Sequence, residues 1–359
     1  MTENIIYIYY FKKYPYDNNF IKFFKFREKP IISIVIPIYN SQKTLNILYK
    51  SIQEQSLKEL EIIFVDDCSQ DDSVKMIENF QRKDQRIILL KNKYNRGPFY
   101  SRNKGALFAR GEYINFIDSD DVFLFDNLEK AYLISKNDNI DIVQYKLIKE
   151  YGNYSLLEFK KECMPNSIIF QPEISDNMFY GHGELKQCNY YIYNKLIKRE
   201  IVLKSLIYMG EEALNQNLYM HEDALQLFCL LRVANSFYYL NVIGYAKLKI
   251  KNTESLQKSY NSPFYANKVF HNVFTEMKVI FYRTQNNSHD KYICYEFFKM
   301  VRSYYTHLSP YVTEGFELFD EVFNLFLNCE YFNNQTKLEI ENFRNILMNR
   351  NSSDIIQKN

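Results

Sequence analysis

The 359 residues comprise 47% hydrophobic and 25% charged side chains, an ordinary globular balance that excludes a disordered, collagen-like or disulfide-scaffold chain and leaves room for one large domain or two. Forty-five Lys and Arg against forty-three Asp and Glu leave a net charge of +2, too weak a field to hold a polyanion by counterion release, so a nucleic-acid partner is not expected. Six cysteines (Cys68, Cys163, Cys188, Cys229, Cys294, Cys329) lie far apart with no C-x-x-C pair, which points to reduced thiols and a cytoplasmic setting rather than a zinc site or a disulfide framework.

Residues 1–28 form an arm rich in Tyr, Phe and Lys. Its longest apolar run, Ile5 to Phe11, falls short of the roughly 20 residues that span a bilayer, and no basic n-region or small-residue cleavage site accompanies it. Aromatics interleave there with Lys12, Lys13, Lys22, Lys25 and Arg27, which leaves two readings open: a peripheral contact with an anionic membrane surface, or packing of the arm on the domain.

From Lys29 the pattern becomes a βα alternation. Strand Ile31–Ile36, stopped by Pro37, is followed by helix Thr44–Gln55, strand Glu61–Val65, helix Asp71–Arg82, strand Arg86–Leu90, helix Pro98–Arg110 and strand Glu112–Ile117. Asp141–Tyr145 reads as a further strand; mixed segments then run to Lys251 and include Tyr190–Leu203 and the helix-like Glu222–Ala234. From Ser262 to Met348 the spacing is helical, with Val269, Val273, Met277 and Ile280 three or four apart. The expected organisation is therefore an arm (1–28), an α/β domain with a mostly parallel, Rossmann-type sheet and helices on both faces (29–255, in halves 29–145 and 146–255), and a helical C-terminal region (256–359).

Open parallel sheets bind ligands at the carboxyl ends of their strands. Here those ends carry Pro37-Ile38-Tyr39-Asn40, Asp66-Asp67-Cys68-Ser69 and Asp118-Ser119-Asp120-Asp121. Asp118 and Asp120 point the same way if the extended backbone continues, which suits a shared hard cation. The same run equally fits an acidic turn capping the next helix, and it satisfies the Asp-x-Asp-x-Thr/Val pattern of haloacid dehalogenase-type phosphatases. His182 and His221 lack a His or Cys partner at ligand spacing and read as hydrogen-bonded or solvated side chains.

Several ordered pieces narrow these alternatives: Val35-Ile36-Pro37-Ile38-Tyr39-Asn40, Val65-Asp66-Asp67-Cys68-Ser69-Gln70-Asp71, Asn95-Arg96-Gly97, Ser101-Arg102-Asn103-Lys104-Gly105, and Ala109-Arg110-Gly111-Glu112-Tyr113-Ile114 running into Asp118-Ser119-Asp120-Asp121. Together they make residues 29–145 resemble the nucleotide-binding core of glycosyltransferase family 2, which has the GT-A fold. The resemblance implies an inverting, metal-dependent transfer of a sugar from a nucleotide diphosphate sugar to an acceptor hydroxyl. It makes 29–145 the nucleotide half and 146–255 the acceptor half.

Carried over by position, the resemblance puts Pro37, Tyr39 and Asn40 beside the nucleoside and Asp67, or less readily Asp66, on the base, as a carboxylate accepting from the imide N–H of uracil or thymine. Cys68 and Gln70 stand where the family has Gly and Thr, which weakens the choice of base. Arg102 is expected either to answer diphosphate charge or to form an ion pair with the acidic rim. Asp118 and Ser119 fall to the donor, with Asp118, Asp120 and Asp121 around Mn²⁺ or Mg²⁺. Asp223 is the expected base and Glu222 its neighbour, opening a helix after Tyr193-Asn194-Lys195-Leu196. Their simple alternative is to complement a positive helix end. The acceptor would be a glycan, a lipid-linked sugar or a protein. A chain without Trp lacks the Gln-x-x-Arg-Trp signature of the family's processive synthases, so transfer of one or a few sugars is expected. A nucleotide-sugar-binding module without turnover is the non-enzymatic rival.

Overall fold

The computed structural model describes residues 29–124, 126–151, 168–170, 191–214, 222–248, 316–330 and 332–356, with seven scattered positions between 267 and 282. The arm, His182, His221 and the boundary near Leu256 lie outside the described residues.

Strands β1 (Ile32–Ile38), β2 (Leu60–Asp66), β3 (Ile87–Lys91) and β4 (Tyr113–Phe116) alternate with helices α1 (Leu45–Gln53), α2 (Ser73–Lys83) and α3 (Gly97–Phe108). The strands lie parallel in the order β3-β2-β1-β4. There follow β5 (Asp121–Phe123), α4 (Asn127–Asp138), β6 (Ile142–Tyr151), β7 (Ile168–Phe170), β8 (Lys195–Lys198), α5 (Arg199–Met209), α6 (Glu211–Leu214), α7 (Glu222–Val233) and β9 (Ser236–Leu248), then α8 (Phe316–Leu327) and α9 (Asn334–Ile356). The sheet continues from β4 through β8, β6 and β9 to β5, with β7 also on β9. The parallel reading holds up to β4; beyond it the sheet is mixed, because β8 runs antiparallel to both β4 and β6.

Pro37 does not stop β1. Pairing with β2 runs on to Ile38 opposite Asp66, whereas pairing with β4 ends at Val35 opposite Phe116. The missing proline N–H thus costs no ladder bond, since the strand has already lost its neighbour on one side.

Both faces of the parallel half are buried, which is why its strands read as continuous apolar runs rather than alternations. Ile34, Ile36, Ile62 and Phe64 pack with Leu48 and Ile52 of α1 and Ile77 of α2. Val35, Ile63, Val65 and Phe116 pack on the other face with Phe99 and Ala106 of α3 and with α5 and α7, and Phe323, Phe326, Ile340 and Phe343 of the C-terminal helices join that cluster. Each such fully buried side chain contributes about 1.5–3 kcal/mol. Gly105 allows α3 to lie close on the sheet: a Cβ there would come within 2.4 Å of Val35 Cγ1. Arg344 of α9 pairs with Asp320 of α8 at 2.8 Å.

Candidate active site

From β1 the chain moves outward through β2 to β3 and then crosses back to β4, so successive connections leave in opposite directions between β1 and β4. Such a switch point leaves a crevice at the carboxyl ends of the strands. A cleft of about 600 Å³ opens there and is lined by Pro37, Tyr39, Asp67, Arg102, Asp118, Ser119, Asp120 and Glu222 among others.

The loops at this rim hold one another. Asn40, with φ of 50°, receives the Gln70 N–H on its Oδ1 at 2.8 Å and gives its own N–H to Ser69 Oγ at 3.0 Å. The Ser41 and Ser119 hydroxyls meet at 2.7 Å, tying the loop after β1 to the acidic end of β4. Asp66 accepts the Ser69 N–H at 3.3 Å. Asp67 accepts from Asn92 Nδ2 and the Arg96 N–H on Oδ1, both at 2.8 Å, and from the Gly97 N–H on Oδ2 at 2.7 Å. It thereby organises the entry to α3, where Gly97 takes a φ of 86° that a side chain would resist. A carboxylate has about four acceptor sites, so one on Asp67 Oδ2 remains.

Arg102, one turn into α3, joins the acidic run after β4 to the start of α7. Its Nη2 donates to Asp118 Oδ1 at 2.7 Å, and its Nη1 to Glu222 Oε1 at 3.0 Å and Asp223 Oδ1 at 3.1 Å. Its side chain is 4% exposed, against 23% for Asp118 and 20% for Asp223. The next residue, Asn103, accepts from Gln226 Nε2 at 2.7 Å, so consecutive residues of α3 grip consecutive turns of α7. Loss of solvation pushes the Asp223 carboxyl up to about 7; Arg102 opposes this, while the Glu222 and Asp118 charges add to it. The three-carboxylate environment holds the guanidinium proton of Arg102 well above its ordinary value against the penalty of burial.

Asp120 is open to solvent at the rim, yet loss of solvation and then the Asp118 charge raise its carboxyl. Asp121, on β5, is buried and accepts from the Tyr245 hydroxyl. Burial, then the charges of Asp118 and Asp120, push it up to about 8. Among the described residues no three His, Cys, Asp or Glu converge as a complete metal cage.

Residues 33–201 match the sequence model described as Glycosyl transferase family 2. These residues are a family 2 glycosyl transferase domain. The domain is similar to an uncharacterized glycosyltransferase of Haemophilus influenzae, 37% identical over 131 residues that cover 36% of this chain and 50% of that protein. It is 34% identical over 151 residues to the GalNAc(5)-diNAcBac-PP-undecaprenol beta-1,3-glucosyltransferase of Campylobacter jejuni, covering 42% of this chain and 47% of the relative. A cholesterol galactosyltransferase of Borreliella burgdorferi is 34% identical over 185 residues, 49% of this chain and 50% of its own. The chain thus spans about half the length of the curated relatives it matches. In three dimensions it shares the fold of S. aureus TarS 1-349, with a TM-score of 0.61 at 20% identity over 90% of this chain and 91% of that one.

With residues 33–201 a glycosyl transferase domain, the phosphatase alternative for the acidic run after β4 falls. Of the residues singled out in the sequence, Asn40, Asp66 and Asp121 hold the loops and sheet around the cleft, whereas Arg102, Asp118, Glu222 and Asp223 meet directly. Sequence reasoning passed over Tyr245 and Lys247 and gave Tyr193 no role beyond its place in the segment Tyr193-Asn194-Lys195-Leu196. In the sheet Tyr245 and Lys247 stand opposite Phe123 and Asp121, and Tyr193 stacks on Tyr245 with ring centroids 4.8 Å apart. Within a chain holding 32 tyrosines no local signal sets these apart. No helix among the described residues is long and apolar enough to cross a membrane.

Proposed function

We propose that this chain is an inverting, non-processive glycosyltransferase that moves a sugar from a UDP-sugar to an acceptor hydroxyl with Mn²⁺ or Mg²⁺. The observation that carries it is the single cleft in which Arg102 links Asp118, at the donor rim, to the Glu222-Asp223 pair at the start of α7. A divalent ion fits the donor set: Asp118 keeps Oδ2 beyond its bond to Arg102, Asp120 is open, and both are hard oxygen ligands that leave further positions for phosphate oxygens and water. When bound, such an ion would neutralise charge on the donor diphosphate.

The protein's own groups do the rest. Pro37 and Tyr39 would flank the nucleoside, with the loops fixed by Asn40 and Asp66, and Asp67 would offer its remaining acceptor site to the base imide. Asp223, a fifth exposed beside Glu222, would take the acceptor proton as the hydroxyl oxygen attacks from the face opposite the leaving diphosphate. Arg102 orients it. The uridine assignment draws support from a fold neighbour, S. aureus TarS 1-349 in complex with UDP-GlcNAc, at a TM-score of 0.58. The names of two of the relatives point to a lipid-linked and a sterol acceptor, which supports a glycan or lipid-linked hydroxyl as acceptor here, at or near a membrane surface. The domain division 1–28, 29–255 and 256–359 is part of this reading.

A screen of nucleotide-sugars with Mn²⁺, reading thermal shift and released nucleoside diphosphate, tests it. Release of intact UDP with sugar transfer is the expected outcome. Binding without turnover under every acceptor condition would mark a binding module instead, and absence of any nucleotide-sugar binding would overturn the reading.

A further inference from the structure

Arg102 spends its guanidinium on three carboxylates, so the positive charge that meets a donor diphosphate must come from elsewhere. Lys247, near the end of β9, stands opposite Asp121 in the antiparallel pair with β5. Two residues earlier on the same face, Tyr245 reaches Asp121 with its hydroxyl. The Lys247 ammonium rests 4.5 Å from the centroid of the Tyr193 ring and 5.1 Å from that of Tyr191, and the two rings stack 4.8 Å apart. This aromatic shelf fixes the long side chain beside Asp121, next to the acidic run whose Asp118 and Asp120 line the cleft. The Tyr193 hydroxyl, on a residue 2% exposed, is buried with no hydrogen-bond partner among the described residues.

The same face of β9 reaches the acidic run twice: the Tyr245 hydroxyl meets the Asp118 N–H at 3.5 Å and donates to Asp121, the residue opposite Lys247. A leaving diphosphate held near Asp118 and Asp120, with its sugar turned toward Asp223, has its bridging oxygen between those groups. We propose that Lys247 is a donor-binding residue whose ammonium contacts the β-phosphate of a nucleoside diphosphate and stabilises it as it departs. The proposal rests on the glycosyltransferase reading above. In the step concerned, the bond from the anomeric carbon to the β-phosphate oxygen breaks and its electron pair stays on that oxygen. The acceptor oxygen bonds the carbon and its proton passes to Asp223; Lys247 transfers no proton in the step. An ammonium aimed where charge develops strengthens its contact in the transition state.

The test compares wild type with Lys247→Met, which keeps an unbranched stem on the Tyr193 ring, and Lys247→Arg. Calorimetry with UDP and with UMP, each with Mn²⁺, is paired with kcat and melting temperature. Lys247→Met should lose on the order of tenfold or more in UDP affinity and ten- to hundredfold in kcat, with UMP affinity and melting temperature unchanged; Lys247→Arg should recover most of both losses. Unchanged UDP affinity and kcat in Lys247→Met, or equal losses for UDP and UMP, would overturn the proposal while leaving the glycosyltransferase reading intact. Failure of the wild type to bind UDP, GDP or dTDP would overturn both.

Discussion

Arg102 Nη2 lies 2.7 Å from Asp118 Oδ1, so the acidic end of β4 is bonded to a helix that also grips the start of α7. Asp118 and the Glu222-Asp223 pair are thereby parts of one hydrogen-bonded unit, and a change on either side is felt on the other.

Replacing Arg102 therefore has two separable costs. Arg102→Met leaves three carboxylates facing one another in a largely buried site, and breaking such a pairing typically costs about 3–5 kcal/mol, read as a lower urea midpoint. Arg102→Lys restores one charge without the fork, so it should recover much of the stability while turnover stays lowered, because a single ammonium does not hold Asp118 and Asp223 together. Full turnover in Arg102→Lys would show that the fork is dispensable.

Asp120 is the carboxylate best exposed to a ligand, and its neutral isostere is a poor partner for a hard cation. Asp120→Asn is expected to weaken UDP binding in Mn²⁺ by on the order of tenfold or more and to leave binding in EDTA unchanged. Calorimetry giving wild-type UDP the same affinity in EDTA and in Mn²⁺ would remove the metal from the site.

Cys68 adopts a φ of 69°, a left-handed conformation that costs a side-chain-bearing residue about 1–2 kcal/mol. The glycine that family 2 places here now has a structural reason: the loop after β2 turns left-handed so that Ser69 and Gln70 reach Asn40. Cys68→Gly should raise stability by about 0.5–1 kcal/mol, part of the relief being offset by the freer unfolded chain. A melting temperature at or below wild type would argue that the loop is unstrained.

How much of this was legible in the sequence depends on which elements carried it. β1 to β4 announce themselves because burial on both faces makes each an apolar run, and the loops at their carboxyl ends keep a motif whose order survives substitution. β8 is hidden: Lys195 is fully buried with its Nζ on Asn194 Oδ1 at 3.1 Å, so a core strand reads as polar. β9 is obscured by register shifts against β6 near Tyr145 and Lys146, which break the alternation that would mark a strand. The grip of Arg102 on Glu222 spans 120 residues and has no local signature at either end. Residue types and motif order thus suggested the participants and left open whether Arg102 answers a donor or pairs with the acidic rim, but not that it also reaches Glu222 and Asp223.

In the proposed function Asp223 takes the proton of the acceptor hydroxyl. Its carboxyl, pushed up to about 7 by loss of solvation, must be ionised to accept a proton, so kcat/KM should rise with pH through about 7 and level off above it. The opposite slope would fit a group that works protonated. Asp223→Asn keeps the shape and a hydrogen bond to Arg102's neighbourhood but cannot take the proton; turnover should fall on the order of 10² to 10⁴, and the ascending limb near neutrality should disappear. UDP affinity should change little, since the base acts on the acceptor. Were Asp223 only complementing the helix end, Asn would serve nearly as well there and the variant would turn over almost normally, with at most about 1 kcal/mol lost in stability. Measuring the pH profile, UDP affinity and melting temperature of the same Asn variant separates the two cases: near-normal turnover with the neutral limb intact would transfer the role of base to Glu222, which shares the same nitrogen of Arg102 at 3.0 Å.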